Sequence, residues 1–516
     1  MPQNAPPSML GRALAAITLT VGFYTFAIAV AVTFIAGPIL LWIDAGHGNI
    51  WATIGLFAAG ATILRALVPV RDPFVAPGPE LTPTAQPELF AELSAVALAV
   101  GEPVPPAVYL DPEVNASVAE ISAGPLRGRR RIMTLGLPLL AALTPQQLRA
   151  VIAHEYGHYV GGDTRFSAWI WRTRVAVLKT VHALDNEDSW FQRVVVRAPF
   201  LLYAKLFMRL TNAISRRAEY AADQVAARVA GAQAQAQTLR AVAAAAPAYS
   251  AYWDADVAYA LDNGHRPPIT AGFQRFLGDH QIRAQVDTIL AAEIAEGETN
   301  PYDSHPTLAD RLRAIGAEPT GEVSPPAPQD SAAALLRDLD RLEHELLAAT
   351  FGRDAVTHLG SIAWEDAGRL YADEGDALAA QHGPAFARLA VADVAGAAQP
   401  DDEQLAALRS TLGVGPEVAF AELNGFWRFA LGRLLLAALR RDGWEIVSIP
   451  GRPVVCRRGE QEIEPYGDVD RARQDALATA QWVQSMQRLE AAQLPLVPHG
   501  GSGRDPVISA GGSATV

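Results

Sequence analysis

The stretch PQQLRAVIAHEYGHYV, residues 145–160, decides how the middle of this chain folds. Thr144 directly before it is a typical helix N-cap, proline suits the first helical position, and Gln147 stands three residues after the cap. Gly161-Gly162 suit the end of a helix. The pattern therefore predicts one helix over this stretch.

That helix contains His-Glu-x-x-His at residues 154–158. Because His154 and His158 are four residues apart, they face the same side of a helix and suit one metal ion. Glu155 then lies beside the open position of the metal, where its carboxylate takes a proton from bound water. Histidine ligands also suit other divalent ions, but tetrahedral zinc is favoured. The pattern predicts a hydrolytic zinc site.

Two histidines leave a catalytic zinc one protein ligand short, and a glutamate from a later helix often completes the set. The candidate is Glu219 in the helical stretch SRRAEYAAD, residues 215–223. Asp223 follows four residues later on the same face, where it suits a hydrogen bond from the outer nitrogen of a ligating histidine. On spacing alone, the alternative is a solvated acidic helix face.

A second His-Glu pair occurs at His344-Glu345. It continues Leu-Leu-Ala and lacks the second histidine. We interpret it as part of a solvated helix surface.

Two long apolar segments stand near the start, Ala13–Trp42 and Ile50–Val70. A helix of roughly 20 apolar residues is enough to cross a bilayer. We predict a transmembrane hairpin; a cleaved signal peptide and a buried core helix are the alternatives, although the first segment is long for a signal.

Charge at the ends of these segments predicts their orientation. Arg12 precedes the first segment, Arg65 and Arg71 end the second, and the connection 43–49 has no lysine or arginine. Positive charge favours the cytoplasmic side. We therefore expect a multi-pass protein of the cytoplasmic membrane with its catalytic domain in the cytosol, and the single cysteine, Cys456, weakly supports a reducing compartment.

The overall charge argues against a nucleic-acid partner. The chain has 42 lysines and arginines and 55 aspartates and glutamates, a net charge of −13. Phosphate backbones require the opposite sign.

Proline-rich breaks and composition predict six segments. They are the transmembrane hairpin over 1–70, a linker over 71–88, a peptidase domain over 89–317, a second linker over 318–331, a mostly helical domain over 332–491 and a disordered tail over 492–516.

Local patterns predict a mainly α-helical chain with little β-structure. Before residue 144 we expect a helix over 87–100 and strands over 107–110 and 131–135, joined by a loop that contains Asn115. Near the C-terminus, 444–449 and 453–457 suggest a short β-hairpin.

Three separate motifs together resemble one family. The order and spacing of HEYGH at 154–158, SRRAEYAAD at 215–223, and Ser304-His305-Pro306 followed by Asp310-Arg311-Leu312 are similar to the membrane-bound zinc metallopeptidases that include HtpX and the CAAX prenyl proteases. The resemblance covers Ala107 to about Ile315 and implies an α+β zincin-like peptidase domain.

The resemblance also implies roles for individual residues. One zinc ion per chain is expected, with Glu155 as general base and Asp223 behind the ligands. The implied zinc ligands are His154, His158 and Glu219. His305 is expected to donate to the transition-state oxyanion, with Arg311 as its catalytic partner. Asn115 is expected beside an edge strand that receives extended substrate. For Asn115 and Arg311 a plain structural role is the alternative.

One departure from the family concerns its additional membrane segments. Here 166–183 and 194–210 each contain three lysines or arginines. Such segments do not cross a bilayer comfortably. We interpret them as amphipathic helices that cover the cleft or lie against the membrane surface.

The sequence thus predicts a membrane-anchored zinc endopeptidase that acts on proteins or peptides. The alternative is a membrane-anchored scaffold that keeps the zinc fold with little turnover. The intact Glu155 favours the enzyme. The expected partners are protein substrates and the lipid bilayer, and the sequence leaves the oligomeric state open.

Overall fold

A computed structural model describes most of the chain. The described residues are 9–45, 49–68, 74–122, 129–160, 164–183, 198–295, 303, 305–319 and 323–498. Helices and small sheets make up this part of the chain, which confirms the mainly α-helical class with limited β-structure.

The helices take their labels in chain order. They are α1 Met9–Ala45, α2 Ile50–Leu67, α3 Pro87–Val100, α4 Leu137–Ala142, α5 Pro145–Val160, α6 Thr164–Ala183, α7 Ala198–Ala230, α8 Ala232–Tyr252, α9 Ala258–Asp262, α10 Ile269–Gly278, α11 His280–Ala295, α12 Leu308–Ala314, α13 Leu339–Phe351, α14 Arg353–Thr357, α15 Trp364–Phe386, α16 Asp402–Leu412, α17 Phe420–Arg441, α18 Pro465–Ala472 and α19 Ala476–Arg488.

The strands are short. They are β1 Glu80–Leu81, β2 Ala107–Asp111, β3 Ala116–Ser122, β4 Arg129–Gly136, β5 His265–Arg266, β6 Gly360–Ser361, β7 Glu445–Val447, β8 Val455–Arg458 and β9 Gln461–Ile463.

Contacts between Cα atoms divide the chain into two compact units. The first contains residues 1–249 and 280–356, and the second contains 250–279 and 357–516. The predicted domains divide the chain differently, because 332–356 belong to the first unit and 250–279 to the second. In the first unit, Ala332, Leu342 and Leu346 are buried in one core with Leu89 and Ile152. The proline-rich segment before them is therefore not a domain boundary, because the residues on both sides of it pack together.

The first two helices of the first unit are apolar. Within them, Ile17–Asp44 and Ile50–Leu67 are long and apolar enough to cross a membrane. Asn49 begins α2 by accepting hydrogen bonds from the N–H groups of Trp51 and Ala52. The two helices contact each other closely at Gly60, where an added Cβ would lie 2.8 Å from Ile35.

Helix α6 and the first half of α7 pack against this pair of helices. Phe23, Ala27 and Ala31 of α1 are buried in one cluster with Phe200 and Phe207 of α7. This apolar contact was not predicted, and Leu178 of α6 and Leu202 and Leu206 of α7 remain exposed.

The sheet of the first unit has the order β1-β2-β4-β3. Strands β2 and β4 are parallel and agree with the two predicted strands, whereas β3 is antiparallel to β4 and lies at the edge. The sequence predicts a loop where β3 lies, because ASVAEIS lacks a regular apolar alternation. Likewise, β1 occurs inside the predicted linker 71–88 and pairs with β2.

The second unit has a core built on α15 and α17. Trp427 and Leu434 of α17 are fully buried there, together with Trp444. Strands β7, β8 and β9 form an antiparallel sheet of three strands, so the predicted hairpin gains a third strand. Leu496, which falls within the predicted tail 492–516, is fully buried in this core; the part of that tail after residue 498 lies outside the described residues.

Candidate metal centre

Helix α5 begins as its sequence predicts. The Thr144 hydroxyl accepts from the Gln147 N–H at 3.2 Å, and the Gln147 side chain accepts from the Thr144 N–H at 2.8 Å. This reciprocal capping satisfies backbone donors that the first turn leaves without partners. The helix continues to Val160, and the predicted stop at 161–162 lies outside the described residues.

A close approach of two helices brings the first histidine motif to α7. An added Cβ at Gly157 would lie 2.7 Å from the Cα of Ala222. A larger residue would therefore push α7 away. Glycine between the two histidines lets Glu219 reach them, and this role is visible only in the structure.

The three predicted ligands converge. His154 Nε2 lies 3.4 Å from Glu219 Oε2, and His158 Nε2 lies 3.9 Å from Glu219 Oε1. One ligand atom from each of the three side chains lies within 4.8 Å of the others. Both imidazoles thus direct their Nε2 atoms toward the same carboxylate.

Asp223 lies directly behind His154 and is fully buried. His154 Nδ1 lies 3.0 Å from Asp223 Oδ1, as expected for a carboxylate that fixes the orientation of a ligating imidazole. Arg311 donates to both carboxylate oxygens of Asp223 at 2.7 and 2.8 Å, and Gln235 donates to Oδ1 at 2.9 Å. Both oxygens of Asp223 therefore accept hydrogen bonds, which offsets the free-energy cost of burying a charged carboxylate.

Arg311 also lies 3.5 Å from Glu219 Oε2. Its guanidinium therefore contacts two acidic groups of α7, and Arg311 also lines the cleft. The sequence resemblance assigns Arg311 to the catalytic group, while its geometry is that of a residue that holds α7 carboxylates in place. Helix α12 presents it, and Thr307 caps that helix by accepting from the Asp310 N–H.

The two histidines of the site have opposite pKa shifts. Burial lowers the pKa of His154, but hydrogen bonds to Asp223 and Glu219 outweigh it and raise the pKa to about 9. Burial and the neighbouring His154 lower the pKa of His158 to about 4. Positive charge is thus stabilised where His154 meets Glu219, and His158 keeps a neutral imidazole with a lone pair.

The acidic groups differ in charge. Desolvation in the cleft raises the pKa of Glu155 to about 7, although the nearby His154 opposes the shift. For Glu219, burial is outweighed by hydrogen bonds from His154 and His305, so its pKa falls well below the usual range. Glu155 is therefore suited to exchange a proton near neutral pH, whereas Glu219 stays an anion.

The donor chemistry fits zinc. Two imidazoles and one carboxylate are a common protein ligand set for catalytic zinc, with room for one further ligand. The lowered pKa of Glu219 keeps this ligand anionic, and a bound metal ion would displace the proton that the raised pKa of His154 favours.

His305 and Asn115 line the same cleft of about 520 Å³. His305 Nδ1 lies 3.1 Å from Glu219 Oε1, and 71% of its side chain is exposed. The backbone carbonyl of Asn115 accepts from the Gly136 N–H at 2.7 Å, which starts the pairing of β3 with β4.

Gln235 and an apolar wall also contribute to the cleft, and neither is evident from sequence motifs. Gln235 is buried and donates to Asp223, and its buried Oε1 atom has no hydrogen-bond partner among the described residues. The wall consists of Val114, Leu139, Val151, Leu239 and Val242. Gln235 is one of three glutamines in the run AQAQAQ at the start of α8, and the run does not distinguish it from the other two.

Comparison with family models matches residues 83–318 to Peptidase family M48. The comparisons with curated proteins and with solved structures gave no match. The matched region contains α5, α7, α12 and the whole cleft.

Proposed function

Since residues 83–318 belong to peptidase family M48, a family of zinc metallopeptidases, we propose that this protein is a membrane-anchored zinc endopeptidase that hydrolyses peptide bonds of protein substrates. The observation that carries the proposal is the convergence of His154, His158 and Glu219 next to Glu155. Three ligands of this chemistry and a carboxylate with a pKa near neutrality are what peptide hydrolysis requires.

The three ligands would hold one zinc ion, which, when bound, polarises a carbonyl and lowers the pKa of water. Glu155 takes the proton of the attacking water and then gives it to the leaving amine. Its pKa of about 7 allows both transfers near neutral pH.

His305 is the proposed donor to the oxyanion. One ring nitrogen lies 3.1 Å from Glu219, and the exposed ring leaves the other available to a substrate in the cleft. For Arg311 we propose a positioning role in place of direct catalysis, because its guanidinium is engaged by Asp223 and Glu219.

The substrate proposal rests on β3 and the apolar wall. Ala116, next to Asn115, lines the cleft at the start of an edge strand, and such edges bind extended peptides. Leu139, Val151 and Leu239 offer an apolar surface for a substrate side chain. Unfolded segments of proteins offer an extended backbone to the edge and apolar side chains to the wall.

Anchoring by α1 and α2, with the catalytic region on the cytoplasmic side, completes the proposal. Reporter fusions at the two termini test the orientation. Reporters active only outside the cytosol would overturn it and leave the peptidase assignment in place.

The deciding experiment compares zinc content and cleavage of an unfolded protein by detergent-solubilised wild type, Glu155→Gln and Glu219→Ala. Wild type should bind about one zinc per chain and cleave. Glu155→Gln should keep zinc and lose cleavage, and Glu219→Ala should lose both. Zinc binding without cleavage would favour the scaffold, and absence of zinc binding would overturn the site.

A further inference from the structure

The free edge of β3 has an alternating pattern of backbone groups. Because Asn115 bonds to Gly136 of the neighbouring strand, every second residue from Asn115 onward pairs inward. The N–H and C=O groups of Ala116, Val118 and Glu120 therefore point away from the sheet. These are the positions at which an extended polypeptide would add to the edge.

Side chains of α5 already face the outward backbone groups of Val118. The Tyr159 hydroxyl donates to the Val118 carbonyl at 2.8 Å, and the Val118 N–H lowers the pKa of the Glu155 carboxyl. Glu155 and Tyr159 are four residues apart, so both side chains leave α5 on the same side. Tyr159 thus binds the carbonyl that Val118 would offer to a substrate, on the side of the strand that Glu155 also faces.

Tyr159 is held in this position from the other side. The guanidinium carbon of Arg131 lies 4.2 Å from the centre of the Tyr159 ring. Arg131 in turn donates to Glu102 at 2.8 Å, and only 22% of each of these two side chains is exposed. Stacking on a paired arginine limits the ring to one orientation.

Ala116 has different surroundings. Within the described part of the chain, no group bonds to its outward N–H or C=O, and it lines the cleft with His154 and Glu155. The edge thus offers backbone pairing at Ala116, beside the metal ligands, and none at Val118, the next residue that points outward.

We propose that Tyr159 ends the substrate-binding edge at Val118 and thereby determines specificity. An extended substrate pairs with Ala116 and leaves the sheet before Val118. The substrates are consequently segments with a short extended stretch at the scissile bond, and additional residues on the Val118 side add no backbone pairing. This inference rests on the proposed peptidase function and adds a limit to its substrate class.

The test measures binding of fluorescent peptides to full-length, zinc-loaded Glu155→Gln protein in detergent. This substitution prevents turnover and keeps a carbonyl acceptor for the Val118 N–H. Peptides that share a central sequence are extended by one residue at a time, in separate series toward each end. Tyr159→Phe is added to remove the hydroxyl and keep the ring on Arg131.

Tyr156→Phe is the matched control. Its hydroxyl, on the same helix, donates to the Pro103 carbonyl at 3.3 Å and not to β3. In the Glu155→Gln parent and in the control, affinity should rise with peptide length only until the peptide pairs with Ala116, and further residues should add nothing. With Tyr159→Phe, longer peptides of one series should bind about three- to tenfold more tightly, the effect of one further hydrogen bond.

N-methylation of the peptide amide that pairs with Val118 should erase this gain. Equal length dependence with and without Tyr159→Phe would overturn the inference, as would binding of no peptide at all. Wild-type cleavage is assayed separately on the same peptides. Peptides that show the predicted binding but are not cleaved would overturn the proposed function and leave the limit at Val118 standing.

Discussion

The dipeptide His-Glu occurs twice in the first unit, on α5 and on α13, and its two copies have opposite surroundings. His154 and Glu155 are half-buried in a cleft, where His154 lies 3.0 Å from the buried carboxylate of Asp223. His344 is exposed, and Glu345 pairs with Arg341 of its own helix at 2.7 Å. The first copy has partners from distant parts of the chain and the second has a neighbour one turn away.

This difference shows what separates the proposed catalytic dipeptide from an ordinary one. Both copies are helical, and both place a carboxylate next to an imidazole. Only α5 lies against a second helix that supplies Glu219 and Asp223, and this contact shifts the pKa of each group. For His344 and Glu345, an ordinary solvated helix surface was predicted, and the structure agrees.

The largest expected effect is on turnover. Glu155→Gln should lower kcat by about a thousandfold, because general-base catalysis is lost while the metal ligands remain. Glu345→Gln, the matched change on α13, should keep kcat within about twofold, since it alters only an exposed pair. The measurement is initial-rate cleavage of an unfolded protein at saturating zinc. Similar losses in the two variants would remove the functional distinction between the dipeptides.

The two arginine contacts provide the next comparison. Arg311→Ala leaves the buried Asp223 without its guanidinium and should lower the free energy of unfolding by about 3–5 kcal/mol. Arg341→Ala breaks an exposed pair within one helix and should cost about 0.3–0.5 kcal/mol. Denaturant titration of the detergent-solubilised chain measures both. Similar losses in the free energy of unfolding for the two variants would show that burial does not make the Arg311 contact stronger than the Arg341 contact.

Gly157→Ala tests the close approach of α5 and α7. The new Cβ would meet the Ala222 backbone, so we expect a loss of about 1–3 kcal/mol in stability together with weaker zinc binding. Gly425→Ala is the control: this helical glycine in α17 has open space around it and should gain about 0.5–1 kcal/mol. Zinc titration and thermal unfolding distinguish the two. A stabilising Gly157→Ala would contradict the tight contact.

The smallest effect concerns how the two helices begin. Thr144→Ala removes the reciprocal cap of α5 and should cost about 1 kcal/mol. Asp338 begins α13 with φ at 54° and no side-chain cap, so Asp338→Asn should change stability by less than about 0.3 kcal/mol. Thermal unfolding of both variants checks the pair, and a larger loss from Asp338→Asn would reverse the ranking.

Several site residues could be predicted because helices make spacing informative. His154 and His158 share a face whatever the rest of the chain does, and Glu219 with Asp223 repeats this pattern on α7. Gln235 could not be predicted, because α8 begins with three glutamines that alternate with alanine, and only packing shows which of them reaches Asp223. Strand β3 could not be predicted either, since pairing with β4 stabilises it more than its own apolar pattern suggests.

The sequence by itself determined the apolar N-terminal helices, the capped helix α5 and the spacing of its histidines, because these depend on hydrophobicity and on contacts within a few residues. Tertiary structure alone decided that Gln235 reaches Asp223, where β3 has free backbone groups and that Tyr159 binds the Val118 carbonyl. The physical reason is that convergence of distant side chains depends on how closely helices and strands pack, and that is set by buried contacts such as Gly157 against Ala222.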